Sequence, residues 1–288
     1  MIDDPIASNP VPAFDANRAN IAFHRLLADQ YSLQPFHREE NRLRVRRILE
    51  SLRSRSAELR LLDVGCGAGF IFELAHDLFA ELDGVDITPE MIARMRPYPN
   101  AKATIAPVEN LPYPPETFDV VTCYSVLHHL HDLPVAFKEI RRVLKPGGVF
   151  YADESPAEEY RQAIGKFAEI GLEAVRSEML KKEICAVLDD VDAYEKLYGI
   201  PPEVTRNAMI QNYLEHGLTE ENLRLSLKNV GFDDVSIDYR RFIGEDHLRK
   251  VHGEKAVEIV RDHLCSLFPL TRPLFKYFVL TAVGQSRC

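Results

Sequence analysis

The chain has no tryptophan, and its five cysteines, Cys66, Cys123, Cys185, Cys265 and Cys288, stand far apart, with no C-x-x-C pair and no Cys/His spacing of the kind zinc takes. An odd, scattered set excludes a disulfide framework and points to reduced thiols. No run approaches the about eighteen apolar residues of a membrane-spanning helix, and the acidic, proline-interrupted start MIDDPIASNPVPAFD is unlike a secretory leader. A cytoplasmic location without membrane contact is therefore expected. Positive charge is short as well: 35 lysines and arginines face 44 aspartates and glutamates, for a formal net charge of −9. Such a chain repels a polyanion, which makes nucleic acid a poor partner. Repeats and low-complexity tracts are missing too. What is present is 288 residues, 46% hydrophobic, enough to bury one large core with an appended cap.

The scarce positive charge does cluster once, at Arg38, Arg42, Arg44, Arg46, Arg47, Arg53, Arg55 and Arg60. Leu43, Ile48, Leu49 and Leu52 supply a partial apolar stripe there. The arginines are expected on the solvent side of an amphipathic helix, some paired with Glu39, Glu40 and Glu50.

The most informative stretch is LLDVGCGAGF, residues 61–70, followed by GVDITP, residues 84–89. Residues 59–64 suit a buried parallel strand that ends where Gly65, Gly67 and Gly69 begin. Glycines in alternation allow positive φ and let a ligand approach bare backbone. Asp86 ends a second apolar run about twenty residues later, the distance at which a carboxylate meets ribose hydroxyls at a sheet switch point. A pyrophosphate binder needs G-x-G-x-x-G/A, yet Phe70 stands where the third small residue belongs. A nucleoside without a pyrophosphate is favoured over NAD, so an NAD-dependent oxidoreductase becomes the less favoured alternative.

Residues 62–70 together with VDITPEM, residues 85–91, resemble class I S-adenosylmethionine-dependent methyltransferases, of the type 11-like kind. ENLP at 109–112, FDVVTCYSVLHHL at 118–130 and EIRRVLKPGG at 139–148 are similar to successive signatures of that family, and 216–235 is a weaker echo. The resemblance implies S-adenosylmethionine as cofactor, S-adenosylhomocysteine as product and no required metal. It also implies residue roles. Asp63 meets the cationic amino group and the Cys123 carbonyl accepts from it; Gly65, Cys66, Gly67 and Gly69 form the turn; Asp86 takes the ribose diol, and Ile87 and Met91 enclose adenine. Where the family carries an aspartate toward the adenine amino group, this chain has Pro107, which leaves the Val108 N–H and the Glu109 side chain at that edge. Tyr31 is added to the cofactor set.

Turn residues divide the chain into an N-terminal helical segment (1–56), a cofactor-binding core (57–154), a helical insertion (155–216) and the rest of the core (217–288) with a second insertion near 246–267. The N-terminal segment is helical over 17–55 with a break at Tyr31, Pro35 and Phe36. Strands are expected at 59–64, 82–86, 103–106, 118–124, 148–153, 235–242 and 275–283, with helices near 69–79, 89–96, 133–143 and 219–230. The fold class is α/β: a Rossmann-like, doubly wound, mostly parallel seven-stranded sheet with helices on both faces, a helical N-terminus and helical lid insertions. The insertions serve either as a substrate lid or as a homodimer interface. Tyr160, Phe167, Tyr194, Tyr198 and Tyr213 are candidates for a substrate pocket or for ordinary core.

Methyl transfer to O, N or C of a small molecule is the leading expectation. A protein methyltransferase and a non-catalytic S-adenosylmethionine-binding protein are the alternatives. His128 and His129 are the candidate general bases, since histidine titrates nearest working pH and the pair follows the fourth strand; opening a helix is their structural alternative. Glu154, Tyr160, Tyr31 and His37 are weaker candidates. Asp153 and Glu154 should point to opposite sides of a regular strand and so should not share one ion.

Overall fold

The computed structural model describes residues 13–33, 38–53 and 58–286. Seven strands form one sheet: β1 (Arg60–Val64), β2 (Glu81–Asp86), β3 (Ala101–Ile105), β4 (Phe118–Tyr124), β5 (Leu144–Pro156), β6 (Phe232–Phe242) and β7 (Phe275–Gly284). Their order is β3-β2-β1-β4-β5-β7-β6, with β7 antiparallel to both neighbours and the others parallel. The order reverses between β1 and β4, which opens a crevice at the carboxyl ends of those strands.

Alternation across the pleat builds two cores. Leu61 and Val120 face one layer, with Val45, Leu49, Phe70, Ile71 and Phe72. Leu62, Val64 and Val121 face the other, with Phe137, Ile140 and Leu227. The helices that cover the faces are α2 (Glu39–Leu52), α3 (Phe70–Ala75), α4 (Pro89–Ile92) and α5 (Leu133–Val143), whereas α1 (Ala13–Leu27) packs on α4 and on the longer insertion. Their starts are chemically marked: Asp132 accepts from the Val135 N–H at 3.0 Å, with Leu133 and Pro134 opening α5 behind it.

The longer insertion follows β5 as α6 (Glu158–Ile170), α7 (Glu178–Leu188), α8 (Asp190–Tyr198) and α9 (Pro202–Ala208), then a wide turn at Gln211–Glu215. The chain returns through α10 (Glu220–Asn229), capped by Thr219, to β6. The second insertion is two helices, α11 (Glu245–His252) and α12 (Glu254–Ser266), because Gly253 at φ 79° ends the first.

Two expectations for the arginine-rich segment need correction. The buried positions of α2 are Asn41, Val45 and Leu49, spaced four apart, and Leu43 is exposed. Arg44 is not on a solvated face: it lies on the Asn41 side and reaches the end of β5, pairing with Asp153 and, at 3.4 Å, with Glu154. Three other arginines of the cluster make pairs nearer the surface: Arg42 with Glu73, Arg46 with Glu50 and Arg60 with Glu81. Expectations at Pro35, Phe36, His37 and Arg55 lie outside the described residues.

Candidate active site

The β1–α3 turn begins from three glycines with φ of 72°, 51° and 89° at Gly65, Gly67 and Gly69. Added carbon would strain the backbone and collide: a Cβ on Gly65 would sit 2.3 Å from a Val126 methyl. The turn is pinned by Asp86, whose two carboxylate oxygens accept from the Gly67 N–H at 2.9 Å and the Thr88 N–H at 2.8 Å. Asp63 lies one strand position before the turn begins to open. Register sets it opposite Thr122, whose hydroxyl donates to it at 2.7 Å. Burial raises the Asp63 carboxyl to about 8, with Asp86 adding to the effect and Thr122 opposing it.

A cavity of about 580 Å³ opens over this turn. Gly65, Gly67, Asp86, Ile87, Met91, Val108 and Glu109 line it, as does Tyr31. Asp63, Cys66, Gly69 and Cys123 do not: Asp63 and Cys123 are buried in the sheet, Cys66 packs into the layer beneath α3, and Gly69 begins that helix. Phe70 stacks on Tyr124 at 4.6 Å, filling the space where a small residue would let the helix close on a phosphate. Ala106, Val108, Val126, Leu130 and Met91 make the wall largely apolar, and none of the lining residues is lysine or arginine. Two carboxylates and no cation suit a nucleoside and disfavour a pyrophosphate. Burial raises the Glu109 carboxyl as well. Thr88 Oγ1 and Asn20 Oδ1 line the cavity, buried without a partner, which is the state of groups awaiting a polar ligand.

The roof was not anticipated from the sequence. Asn17, Asn20 and His24 of α1 line the same cavity. Their spacing of three and four residues places them on one helical face, and that polar stripe was the available signal. Asn20 also donates to the His129 carbonyl at 3.0 Å and so ties the roof to the turn after β4.

That turn, Leu127–His129, separates the two histidines. His129 lines the first cavity, its Nδ1 2.7 Å from the Ala208 carbonyl and its ring 4.8 Å from that of His24. His128 lines a second cavity, of about 880 Å³. Burial, with His24 and Arg161 as positive neighbours, pulls His128 down to about 3; burial, His128 and His24 hold His129 well below its ordinary value. Both rings are neutral at working pH.

Ser125 lines both cavities, so the two adjoin there. Tyr160, Arg161, Asp190 and Tyr194 of the longer insertion line the second, and Lys276 and Tyr277 enter from β7. The last two carry no local signal; the antiparallel register that sets Tyr277 opposite Pro156 brings them in. Phe167 lies apart from this cavity, and Tyr198 and Tyr213 pack with Phe23 and Leu27. Neither cavity is lined by α11 or α12, which pack on the β6 edge instead. Asp153 and Glu154 also differ from expectation: the β5–β7 register shifts after Ala152, Glu154 takes φ 54°, and both carboxylates turn to Arg44. Among the described residues no group of three or more His, Cys, Asp or Glu side chains converges as a metal site would.

The family described as "Methyltransferase domain" matches residues 62–152, from β1 into β5. This core is a class I S-adenosylmethionine-dependent methyltransferase domain. An uncharacterized methyltransferase of Bacillus subtilis is 37% identical over 111 residues, 35% of this chain and 44% of that protein. A malonyl-[acyl-carrier protein] O-methyltransferase of Halorhodospira halophila is 31% identical over 179 residues, 56% of this chain and 60% of that protein. The chain thus spans about half the length of these relatives. Across 97% of this chain and 100% of the other, the fold superposes on the [4+2]-cyclase SpnF with a TM-score of 0.57 at 17% identity, a likeness of fold alone. Beyond the methyltransferase domain, the N-terminal helices complete the wall of the first cavity and the longer insertion that of the second. No helix among the described residues is long and apolar enough to cross a membrane.

Proposed function

We propose that the protein transfers a methyl group from S-adenosylmethionine to an oxygen, nitrogen or carbon atom of a small molecule. The observation that carries this reading is the wall shared at Ser125: the cavity over the glycine turn adjoins a larger one walled in part by the insertion. The apolar slot, the bare Gly67 backbone and the unpartnered Thr88 and Asn20 atoms fit the cofactor.

Bound there, S-adenosylmethionine supplies a methyl group on a positively charged sulfur, so that alignment and exclusion of water provide most of the acceleration. Although they lie behind the cavity wall, Asp63 and the Cys123 carbonyl would hold the amino group where it passes the glycine turn, and Asp86 the ribose. Ile87 and Met91 would flank adenine, with the Val108 N–H and Glu109 at its edge, and Cys66 and Gly69 would shape the turn. The α1 roof excludes water. His129 spends Nδ1 on Ala208 and acts as a positioning group, whereas His128 faces the acceptor.

The longer insertion is read as a lid rather than a dimer face because its side chains wall the acceptor cavity. A concave cavity walled by side chains of several elements suits a small molecule. Cys66, Cys123, Cys185 and Cys265 are free thiols, consistent with a reducing compartment such as the cytosol.

Incubation of the protein with methyl-tritiated S-adenosylmethionine and a cell extract tests the reading. Label is expected in the low-mass fraction. Label in protein would replace this reading with protein methylation, and binding without any transfer would replace it with a non-catalytic role.

A further inference from the structure

Charge around the acceptor cavity is closed on itself. Arg161 pairs with Asp190 at 3.5 Å, Lys276 with Glu183 at 3.3 Å, and Glu154 with Arg44 at 3.4 Å. Each charged side chain that lines the cavity has an opposite partner, which leaves none for an ammonium or a carboxylate to neutralise. The atoms without a partner are neutral ones: His128 Nδ1 and the Tyr160 hydroxyl, on side chains only 7% and 3% exposed. Buried polar groups are normally satisfied, so a pair left open on one cavity marks where a ligand bonds.

Building on the methyl-transfer reading, we propose that the acceptor is a neutral phenol, its reacting hydroxyl bound by His128 and a second oxygen substituent bound by Tyr160. A hydroxyl suits His128 because it donates to a bare imidazole nitrogen without carrying charge into the cavity. Burial keeps the Tyr160 phenol protonated, so it donates to the second oxygen. Tyr194 and Tyr277 line the same cavity, which gives an aromatic acceptor aromatic side chains to pack against. His128 adjoins Ser125 and His129, which line the cofactor cavity, so the group it holds is the one beside the methyl donor.

In the transfer, the phenol oxygen bonds to the methyl carbon as the carbon–sulfur bond breaks, and its electron pair stays on sulfur. The hydroxyl proton passes to His128 Nδ1 and on to solvent. Low basicity of this imidazole is no obstacle, because an oxygen that has just been alkylated is far more acidic than any imidazolium.

Calorimetric titration of the S-adenosylhomocysteine-loaded protein with the three dihydroxybenzenes, benzylamine and benzoate tests the proposal. At least one dihydroxybenzene should bind about tenfold tighter than either charged probe. Tyr160→Phe and His128→Gln should each weaken it by about five- to tenfold, the loss of one hydrogen bond, with S-adenosylhomocysteine affinity unchanged. Tighter binding of benzylamine or benzoate, no saturation by any dihydroxybenzene, or an affinity unmoved by both substitutions would overturn it. Failure of the wild type to bind S-adenosylhomocysteine would overturn the methyl-transfer reading and this one with it.

Discussion

Asp63 carries a buried carboxyl at about 8, against an ordinary 3.8, so near pH 7 it is mostly protonated. A cationic amino group beside it would ionise it. Binding of S-adenosylmethionine at pH 7 should therefore release a proton, visible as a binding enthalpy that changes with the ionisation enthalpy of the buffer; Asp63→Asn should abolish that dependence. The sign for stability is opposite to that of a salt-bridged aspartate. The folded state holds the extra proton between 3.8 and about 8, so this contribution is complete below 3.8 and is lost as the pH rises through 8. Tyr160 makes a second residue-scale prediction. Its hydroxyl is buried without a partner, so Tyr160→Phe should leave the unliganded protein as stable or about 1 kcal/mol more stable in urea unfolding. A clear loss of stability would show that the hydroxyl is already bonded within the fold.

At the scale of elements, α2 is held to the sheet by Arg44, where Asp153 and Glu154 converge and Tyr151 donates to Asp153 at 2.5 Å. Breaking that buried set by Arg44→Met should cost about 3–5 kcal/mol, measured by denaturant midpoint. Arg42→Met, whose partner Glu73 is half exposed, should cost no more than about 1 kcal/mol. Equal effects would contradict the distinction drawn between the two arginines. The difference was illegible in the sequence, because helix periodicity places an arginine on a face but does not say that a bulge in β5, far along the chain, delivers two carboxylates to it. Strand-ending Asp86 was legible for the opposite reason: glycine turn and carboxylate lie close in sequence and meet through neighbouring parallel strands.

The whole molecule shows the same division. Residues 59–153 alternate strand and helix so regularly that β1, β2, β4 and α5 fall within a residue or so of expectation, since apolar runs buried on both faces are punctuated by Gly, Pro and Asp. The acceptor cavity was not legible to that degree. Its walls come from α6, α8, β5 and β7, segments whose approach depends on tertiary packing, and the second insertion expected near 246–267 lies on the far edge. What joins the halves is the wall at Ser125 between the cofactor and acceptor cavities. Calorimetric titration with S-adenosylmethionine, S-adenosylhomocysteine and NAD tests the cofactor half of that arrangement most directly. One site per chain for the first two, no binding of NAD, and loss of binding in Asp86→Ala is the expected result; saturable NAD binding, or S-adenosylmethionine affinity unchanged by Asp86→Ala, would contradict it.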